Sequence, residues 1–365
     1  MTRAAVRGRS GRRHGRSARR LARGTRSARR GTLPAMTPPR VCVLGSLNMD
    51  IIVRAERLPM PGETVLGRGY NATPGGKGAN QALAASRLGA IVTLIGSVGD
   101  DPHGAKLKGV LAAEGIDLRH VRTQPAPPEG QPTGLGLITV AEGAGGENTI
   151  VVAAGANAAV RPEDVRAAVD AITGCDCLLL QLELPMQAVL EAVRLAASAP
   201  GGRRPIILNA SPARQLPLEL LKHVDVIVVN RAEAQVLTGM DQHTDPARLA
   251  FRVAEFGPPT VVLTLGPQGS VLCHRGRPKR IPTIRVTAID TVGAGDAFAG
   301  ALAAGWSTVR HAIAARSQDE HRLLDAALVR ASVAGALATT RKGAIPAMPT
   351  ASEVDARVGD LAGAT

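Results

Sequence analysis

Short apolar runs alternate with amphipathic stretches along most of this chain. The strand-like runs are Val41–Gly45, Ile91–Gly96, Cys177–Leu182, Ile206–Asn209, Val224–Asn230 and Val261–Leu265. The helical stretches include Gln81–Leu88, Ala105–Glu114, Pro162–Ile172, Pro185–Ala197, Ala232–Thr238 and Ala297–Gly305, followed by a charged helical segment from Arg310 to Ala338. Apolar strands that alternate with helices are typical of parallel sheets covered on both faces. The pattern predicts a doubly wound, mostly parallel sheet, an α/β/α sandwich.

Four apolar segments do not fit this alternation. Residues 51–54, 64–70, 133–140 and 148–153 have strand character, and the last two flank a Gly-rich turn. Strands that pair through a turn form antiparallel sheets. We therefore predict a second, small β-sheet beside the main one, a lid built from about residues 47–73 and 131–153.

The charge is concentrated at the N-terminus. The net charge is +14, yet residues 1–40 contain 13 Arg and no acid, which leaves about +1 for the rest. A segment rich in Arg, Gly and Ser without periodic apolar residues cannot bury enough surface to fold. We expect a disordered tail over residues 1–39 and a folded domain over residues 40–365. An organellar transit peptide, a nucleic-acid-binding arm, or an early start codon with Met36 as the real beginning remain alternatives.

Cysteine usage and hydropathy bear on the compartment. Cys42, Cys175, Cys177 and Cys273 are too few in 365 residues to form a disulfide framework. This favours a reducing cytoplasm. The Cys175-Asp-Cys177 pair lacks a second ligand pair nearby, so it is interpreted as the start of a strand. No apolar run approaches the roughly 18–20 residues of a membrane span, and we expect no membrane partner.

The stretch Ile289–Phe298 carries the clearest chemistry. Gly293 and Gly295 allow a tight turn, and Asp296 follows them at the start of a predicted helix. Unpaired N–H groups at a helix start suit an anion such as phosphate. A simple strand-to-helix turn with an N-cap aspartate explains the same letters, so the other stretches must decide.

Several polar stretches follow predicted strands, where ligands bind in the α/β class. Asn48 and Asp50 have the i, i+2 spacing that puts both on one side of extended backbone. Gly75–Asn80 places glycines, Lys77 and an amide before a helix, and Glu183 closes an apolar strand. Amides and carboxylates can bind vicinal hydroxyls, although a polar loop with Asx turns is the more frequent explanation for such a pair.

Two further stretches suit a nucleotide. Asn230 and Glu233 have capping-box spacing, which is a structural explanation, while the glutamate could also organise Mg²⁺ through water. Thr264–Gly269 is a strand end followed by a Gly-bounded turn that can lie along phosphates or ribose.

Taken together and in this order, these stretches resemble the ribokinase-like (PfkB) carbohydrate kinase family over roughly Arg40 to Met348. The two signature regions are Gly75-Gly-Lys-Gly-Ala-Asn80 and Asp290-Thr-Val-Gly-Ala-Gly-Asp296. The resemblance implies an ATP-dependent sugar kinase that phosphorylates D-ribose at O5, uses Mg²⁺, is activated by K⁺, and forms a homodimer through the lid.

The resemblance also implies roles for individual residues. Asp296 would be the catalytic base, with Gly293, Ala294 and Gly295 as the anion hole. The sugar would contact Asn48, Asp50, Gly76, Lys77, Gly78, Asn80, Glu183 and Asp296. The nucleotide would contact Asn230, Thr264, Leu265, Gly266, Pro267, Gln268, Gly269, Gly295 and Ser332. The K⁺ site would use Asp290, Val292, Arg341 and Gly343, and Glu233 would bind Mg²⁺ through water. Ala347 replaces a serine that many members have near the cation, and Ser332 replaces an Asn or His near adenine.

Other functions remain open on the sequence. A deoxyribose, fructose, sugar-phosphate or nucleoside kinase shares the same motifs. A sugar-phosphate kinase is disfavoured because the sequence has no extra Arg/Lys cluster near Asn48 or Glu183, and a nucleoside kinase is disfavoured because the chain has almost no aromatic residues to contact a base. A sugar sensor that binds nucleic acid through its Arg-rich tail is the alternative from another class. Asp296 argues against it, because a sensor needs no catalytic base, so nucleic acid contacts are expected to be non-specific and confined to the tail.

Overall fold

A computed structural model describes residues 37–142, 147–315 and 317–362. In chain order its strands are β1 (Arg40–Leu44), β2 (Asn48–Ala55), β3 (Gly67–Gly75), β4 (Ile91–Gly99), β5 (Asp117–Gln124), β6 (Gly134–Ala141), β7 (Asn148–Ala153), β8 (Cys177–Leu180), β9 (Ile206–Asn209), β10 (Val226–Asn230), β11 (Thr260–Thr264), β12 (Ser270–His274) and β13 (Arg277–Ile281). Its α-helices are α1 (Lys77–Arg87), α2 (Pro102–Ala113), α3 (Pro162–Arg166), α4 (Val169–Thr173), α5 (Met186–Ala197), α6 (Leu218–Leu221), α7 (Arg231–Thr238), α8 (Pro246–Ala254), α9 (Ala294–Ala314), α10 (Glu320–Ala338) and α11 (Ala351–Ala362). Short 3₁₀ turns lie at Gly155–Ala159, Gly266–Gln268 and Ile345–Ala347.

The main sheet confirms the predicted doubly wound architecture. Within the described residues it has nine strands in the order β13-β12-β11-β10-β9-β8-β1-β4-β5. The strands from β11 to β5 in this order pair in parallel, whereas β12 and β13 form an antiparallel hairpin at one edge. The strand order reverses beside β1, because β4 lies on one side of it and β8 on the other.

Both faces of the main sheet are buried, as its Val- and Leu-rich strands require. In β1, Val41 and Val43 point into the core layer that contains α1, α9 and α10. Cys42 and Leu44 point into the opposite layer, which contains α5, α7 and α8. The alternation follows from the two-residue period of a strand. It explains why these strands have continuous apolar sequences.

The small sheet is also present. Its order is β3-β2-β6-β7, with β2 and β6 parallel and the outer pairs antiparallel. Thr133, directly before β6, connects this sheet to the end of β4, because the Gly99 N–H donates to Thr133 Oγ1 at 3.0 Å. Asp101 accepts from Thr133 through both the backbone N–H (2.7 Å) and the hydroxyl (2.8 Å). That this sheet acts as a lid stays a prediction.

Several predicted boundaries were wrong for local reasons. The helix predicted from Gln81 begins at Lys77, since Gly76 (φ 89°) ends the strand and lets the chain turn directly into the helix. The helix predicted over 297–305 spans Ala294–Ala314, and the segment predicted as helical from Arg310 is divided by a turn before Glu320. The single helix predicted over 162–172 is two short helices. β5, α8 and the β12–β13 hairpin were missed.

Cys42, Cys175, Cys177 and Cys273 are free and buried. Burial raises the pKa of the Cys42 and Cys177 thiols, which makes them unreactive as thiolates. No group of three or more potential metal-binding His, Cys, Asp or Glu side chains occurs among the described residues. In the same part of the chain no helix is long and apolar enough to cross a membrane. Residues 1–36 lie outside the described part, so the disordered tail stays a prediction.

Candidate active site

Polar residues gather at the carboxyl edge of the main sheet, where its strand order reverses. Ser46 follows β1 and Glu183 follows β8, and the Ser46 hydroxyl donates to the Glu183 carboxylate. Glu183 therefore lies in the turn after β8, three residues beyond the end of the strand, and not at the strand end predicted from the sequence. The crevice at such a reversal is the usual ligand site of open α/β sheets.

Glycines bring α1 close to the loop that follows β1. A Cβ on Gly78 would lie 2.4 Å from the carbonyl carbon of Gly45, and one on Gly76 would lie 2.8 Å from the Ser46 carbonyl oxygen. Neither distance is sterically possible, so only glycine permits this approach. The Lys77 N–H faces Glu183 Oε2 at 3.4 Å. The Gly-rich stretch therefore places Lys77 in the first turn of α1 with its N–H facing Glu183.

Asp296 lies in the first turn of α9 and is 7% exposed. Its two carboxylate oxygens each accept an amide hydrogen bond from α1. Asn80 Nδ2 donates to Oδ2 at 2.9 Å, and Gln81 Nε2 donates to Oδ1 at 2.9 Å. Two donors favour the ionised carboxylate. The structure thus joins the two signature stretches, which are more than two hundred residues apart in sequence, at a single carboxylate.

The turn before Asp296 is shaped for close approach. Gly293 has φ of 80°, and a Cβ there would lie 3.0 Å from the Ala344 side chain. Gly295 is exposed, and a Cβ added to it would meet nothing within 4 Å. The first N–H groups of an α-helix have no acceptor inside the helix. The Ala294 N–H donates to the Thr291 carbonyl oxygen at 3.3 Å, so the positive end of α9 next to Asp296 is open at Gly295.

The charges of this crevice are coupled. Burial raises the pKa of Asp296, while Lys77 and the amides of Gln81 and Asn80 oppose that rise. Burial alone would lower the pKa of Lys77, but the surrounding carboxylates, Asp296 first, raise it. Burial, followed by repulsion from Glu183 and Asp296, raises the pKa of Asp50 to about 7. Four carboxylates, those of Asp296, Glu183, Glu233 and Asp50, thus act on the charge of the Lys77 ammonium group.

Asn48 and Asp50 lie in the first half of β2, facing the crevice. Asn157, 1% exposed, donates to Asn48 Oδ1 at 2.7 Å and also pairs with the backbone of Leu47. Because the Asn48 side-chain oxygen accepts from Asn157, the Asn48 NH₂ group is the part of this side chain that can donate to a ligand. The Asp50 carboxylate fits over two glycines, since a Cβ on Gly75 would lie 2.1 Å from one oxygen and a Cβ on Gly136 2.4 Å from the other.

The residues predicted to contact the nucleotide follow the neighbouring strands. Asn230 and Glu233 form the capping box of α7, with Asn230 Oδ1 accepting from the Glu233 N–H at 2.9 Å and Glu233 Oε2 accepting in return at 2.8 Å. Glu233 is 6% exposed and close enough to raise the pKa of Lys77. The Thr264–Gly269 turn is closed by the Leu265 N–H, which donates to the Gly269 carbonyl at 2.8 Å. Gly266, Pro267 and Gln268 are exposed there.

Ser332 is not brought to the same loop by any hydrogen bond among the described residues. It is 5% exposed within α10, and its carbonyl accepts from Thr283 Oγ1 at 3.2 Å. Its hydroxyl is buried and has no hydrogen-bond partner in the part of the chain that the structure describes. A contact between Ser332 and adenine therefore stays a prediction.

The residues predicted for the cation join two loops. Asp290 Oδ1 accepts from the Val292 N–H at 3.0 Å, and Oδ2 accepts from the Gly343 N–H at 2.8 Å. The Arg341 side chain points to Glu353, with which it forms an exposed ion pair. Ala347 is buried beside this loop in a 3₁₀ turn and offers no side-chain oxygen. One carboxylate and several loop carbonyls are ligand types that suit a hard cation.

Sequence reasoning missed four buried polar residues of the site. Ser46, Gln81, Gln181 and Asn209 are at most 7% exposed, and each hydrogen bonds to a site residue or to another member of this group. Gln181 follows β8, and Asn209 is the last residue of β9. A polar residue at the end of an apolar strand was the signal available for these two, and it does not reveal which distant partner the side chain meets.

A doubly wound sheet with a buried carboxylate at a Gly-rich helix start, facing a crevice of amides and carboxylates, defines an α/β phosphotransferase site. Residues 38–351 match the family model described as pfkB family carbohydrate kinase. The chain belongs to this family.

Known relatives agree with this assignment over most of the chain. It is 37% identical to a ribokinase of Haemophilus influenzae over 313 residues, covering 85% of this chain and 95% of the relative. It is 33% identical to a deoxyribokinase of Salmonella typhimurium, covering 72% of this chain and 84% of the relative. The structure of Arabidopsis thaliana ribokinase complexed with ribose and ATP is 30% identical, with a TM-score of 0.74, covering 88% of this chain and 99% of the other. The chain is therefore a kinase of the pfkB carbohydrate kinase family.

Proposed function

We propose that this protein transfers the γ-phosphoryl group of ATP to O5 of D-ribose, which feeds ribose into pentose metabolism. The observation that carries the proposal is the buried Asp296 carboxylate at the start of α9, held by Asn80 and Gln81. Similarity to several ribokinases, including one solved with ribose and ATP, supports the choice of substrates.

In this proposal Asp296 accepts the proton of the attacking hydroxyl. The pKa of Asp296 is raised by burial, which makes the carboxylate a stronger base than an exposed aspartate. The oxygen of the sugar then forms a bond to the γ-phosphorus as the bond to the leaving ADP oxygen breaks. Phosphoryl transfer depends mainly on positioning and charge stabilisation. We propose that the N–H groups of Gly293, Ala294 and Gly295 stabilise the transferred phosphoryl group, with Ala294 exchanging its 3.3 Å hydrogen bond to the Thr291 carbonyl for one to a phosphoryl oxygen.

The sugar would occupy the crevice between the small sheet and α1. Asn48 offers its NH₂, and Asp50 and Glu183 offer carboxylate oxygens. Asn80 Oδ1 is buried and has no hydrogen-bond partner among the described residues, so it is a candidate acceptor for a hydroxyl. The glycines at 76 and 78 allow the ligand to approach the backbone, and Lys77 balances the carboxylates.

A substrate panel tests the function directly. ATP turnover is measured with ribose, 2-deoxyribose, fructose, fructose 6-phosphate and adenosine at equal concentrations, and the product is located by ³¹P–¹H NMR. We expect kcat/KM to be highest for ribose, with phosphate on O5. The similarity to a deoxyribokinase makes 2-deoxyribose the second candidate. A higher kcat/KM for any other sugar would replace ribose as the substrate.

For the nucleotide we propose contacts with Asn230 and with the exposed turn Thr264–Gly269. Glu233 would bind Mg²⁺ through water, because one of its oxygens is already engaged by the Asn230 N–H. Magnesium, when bound to the nucleotide phosphates, neutralises charge that develops during transfer. Gly295 and Ser332 complete the set proposed for the nucleotide.

Potassium is expected to activate the enzyme. The proposed site consists of Asp290 and the loop carbonyls of Val292, Arg341 and Gly343, with Ala347 providing no oxygen ligand. Because Asp290 links this loop to the turn before Asp296, cation binding should order the anion hole and raise kcat. Rates are compared in K⁺ and in a bulky organic cation of equal ionic strength, with Asp290→Asn as the matched variant. Equal parent rates in the two salts would rule out a functional cation site.

We propose a homodimer formed through the small sheet. This sheet exposes apolar side chains on its strands, among them Tyr70 (71%), Val151 (63%) and Leu137 (45%). A cluster of exposed apolar residues favours a protein contact. Val151→Lys should convert the dimer to a monomer in sedimentation velocity, whereas Phe251→Lys, which changes an exposed apolar residue of α8 outside the small sheet, should not. A parent that sediments as a monomer at micromolar concentration would contradict this interface.

The Arg-rich N-terminal segment is proposed to be dispensable for catalysis. All site residues lie after residue 40, while residues 1–40 carry 13 of the chain's basic side chains and no acid. A variant that begins at Met36 should keep the parent kcat and KM and lose salt-sensitive binding to heparin. A truncated protein with reduced turnover would show that the N-terminal segment contributes to catalysis.

We also propose that the protein is located in the cytoplasm.

A further inference from the structure

Gln81 makes three side-chain hydrogen bonds in the crevice although it is fully buried. Its NH₂ donates to Asp296 Oδ1 at 2.9 Å and to Asn209 Oδ1 at 3.0 Å. Its carbonyl oxygen accepts from Gln181 Nε2 at 2.7 Å. Both amide hydrogens and the carbonyl oxygen are therefore used.

The direction of this hydrogen-bond chain is fixed from the main sheet. Asn209 Nδ2 donates to the Val228 backbone carbonyl at 3.3 Å, and a carbonyl can only accept. Asn209 must then turn its oxygen towards Gln81, and Gln81 must turn its NH₂ towards both Asn209 and Asp296. A flipped Gln81 amide would place its oxygen against two other oxygens. The backbone of β10 thus determines that a donor, and not an acceptor, meets the Asp296 carboxylate.

We propose that Gln81 is a positioning residue, which holds the Asp296 carboxylate in one orientation and favours its ionised form during phosphoryl transfer. This inference rests on the proposed function, because it assigns a role in the same reaction. Asn80 donates to the other carboxylate oxygen, so the two amides fix both oxygens. Hydrogen bonds to a carboxylate lower its pKa and oppose the effect of burial.

The other charges that face Asp296 stay in place when Gln81 is changed. Lys77 on α1 attracts the carboxylate, while Glu183 after β8 and Asp50 on β2 repel it. A comparison of the parent with a Gln81 variant therefore isolates the amide. Loss of this donor should shift the proton affinity of Asp296 upwards, so that the acidic limb of the kcat profile moves to higher pH.

The test is the pH dependence of kcat for Gln81→Leu. At about pH 7 we expect kcat to fall about tenfold or more, the typical cost of losing a hydrogen bond to a charged group, with little change in the KM for ribose. The deficit should narrow as pH rises. Gln124→Leu is the matched control, because Gln124 is also a buried glutamine that hydrogen bonds through Nε2, to Ser97 Oγ at 3.1 Å on β4. It should lower Tm and leave the pH profile unchanged.

A second variant, Gln181→Leu, tests the same role if the Gln81→Leu protein does not fold. Gln181→Leu removes the donor to the Gln81 carbonyl and leaves the contact between Gln81 and Asp296. The acidic limb of its kcat profile should therefore move to higher pH, by a smaller amount than in Gln81→Leu. Profiles that superimpose on the parent in both variants would refute the role of Gln81. Absence of turnover by the parent with every sugar would instead refute the proposed function and this role with it.

Discussion

Asp296→Asn is expected to lower kcat by about 10²–10⁴-fold while ribose and ATP still bind. Asparagine keeps the size of the side chain and an oxygen for one amide donor, but it cannot take a proton from the sugar. The carboxylate lies at the start of α9 in a crevice that excludes most water, at 7% exposure, so bulk solvent cannot replace it. Single-turnover rates and calorimetric dissociation constants are the measurements.

A helix-start aspartate remote from the site provides the matched control. Asp245 caps α8 and accepts from the N–H groups of Ala247 and Arg248. Asp245→Asn repeats the chemical change and should leave kcat unaltered. If Asp296→Asn turned over ribose within a fewfold of the parent, the general-base role would be wrong. If it failed to fold whereas Asp245→Asn folded, the carboxylate would be primarily structural.

Asp50→Asn is expected to weaken ribose binding and to stabilise the free protein. Loss of a charged hydrogen-bond acceptor should raise the KM for ribose about tenfold with a smaller change in kcat, because Asp50 holds the sugar in ground and transition states alike. Burial, with repulsion from Glu183 and Asp296, raises the pKa of Asp50 to about 7, so ionisation of Asp50 opposes folding.

The sign of the pH effect follows from this raised pKa. A carboxyl whose pKa is higher in the folded than in the unfolded protein favours folding at low pH, and this contribution is lost as pH rises through about 7. Asparagine does not ionise. The Tm of Asp50→Asn should therefore exceed that of the parent by an amount that grows as pH rises from about 5 to about 7 and levels off above pH 7, where Asp50 is ionised in both states, as measured by differential scanning calorimetry.

Asp117→Asn is the control, because the pKa of Asp117 is shifted in the direction opposite to that of Asp50. The hydrogen bond from Arg119 lowers the pKa of Asp117, so its contribution is lost only as pH falls into the acidic range. The Tm difference between Asp117→Asn and the parent should thus stay constant over the same interval. An Asp50→Asn difference that is equally constant, or an unchanged KM for ribose, would contradict the role given to Asp50.

The sequence was sufficient for features that depend on neighbouring residues. Apolar strands of four to five residues bounded by polar turns predicted the parallel sheet, because a strand buried on both faces has no polar alternation. Asn230 and Glu233 have capping-box spacing and do form the capping box. Gly76 and Gly293 were predicted to lie in turns and have positive φ, whereas Gly295, predicted to share the turn of Gly293, lies in the first turn of α9 and has no positive φ. Local spacing and backbone sterics determine all of these features.

Element boundaries were less predictable where packing extends a helix. α9 continues beyond Gly305 to Ala314, although glycine weakens an isolated helix. Trp306 and Val309 are 2% and 1% exposed, so burial of apolar side chains compensates for that cost. The β12–β13 hairpin was missed for a related reason, since every residue from Arg277 to Arg280 is exposed and polar or Pro, and only pairing with β12 makes this segment a strand.

Only the tertiary structure decided how the site is assembled. The sequence by itself determined the glycine turns, the carboxylate at a helix start and the amide-rich stretch before α1. It did not determine that Asn80 and Gln81 would both donate to Asp296, or that Asn209 would set the direction of the Gln81 amide. These contacts join β9, α1 and α9, which are far apart in the chain. Their formation depends on sheet order and helix packing, because a buried polar group is stable only with the partners that the fold supplies.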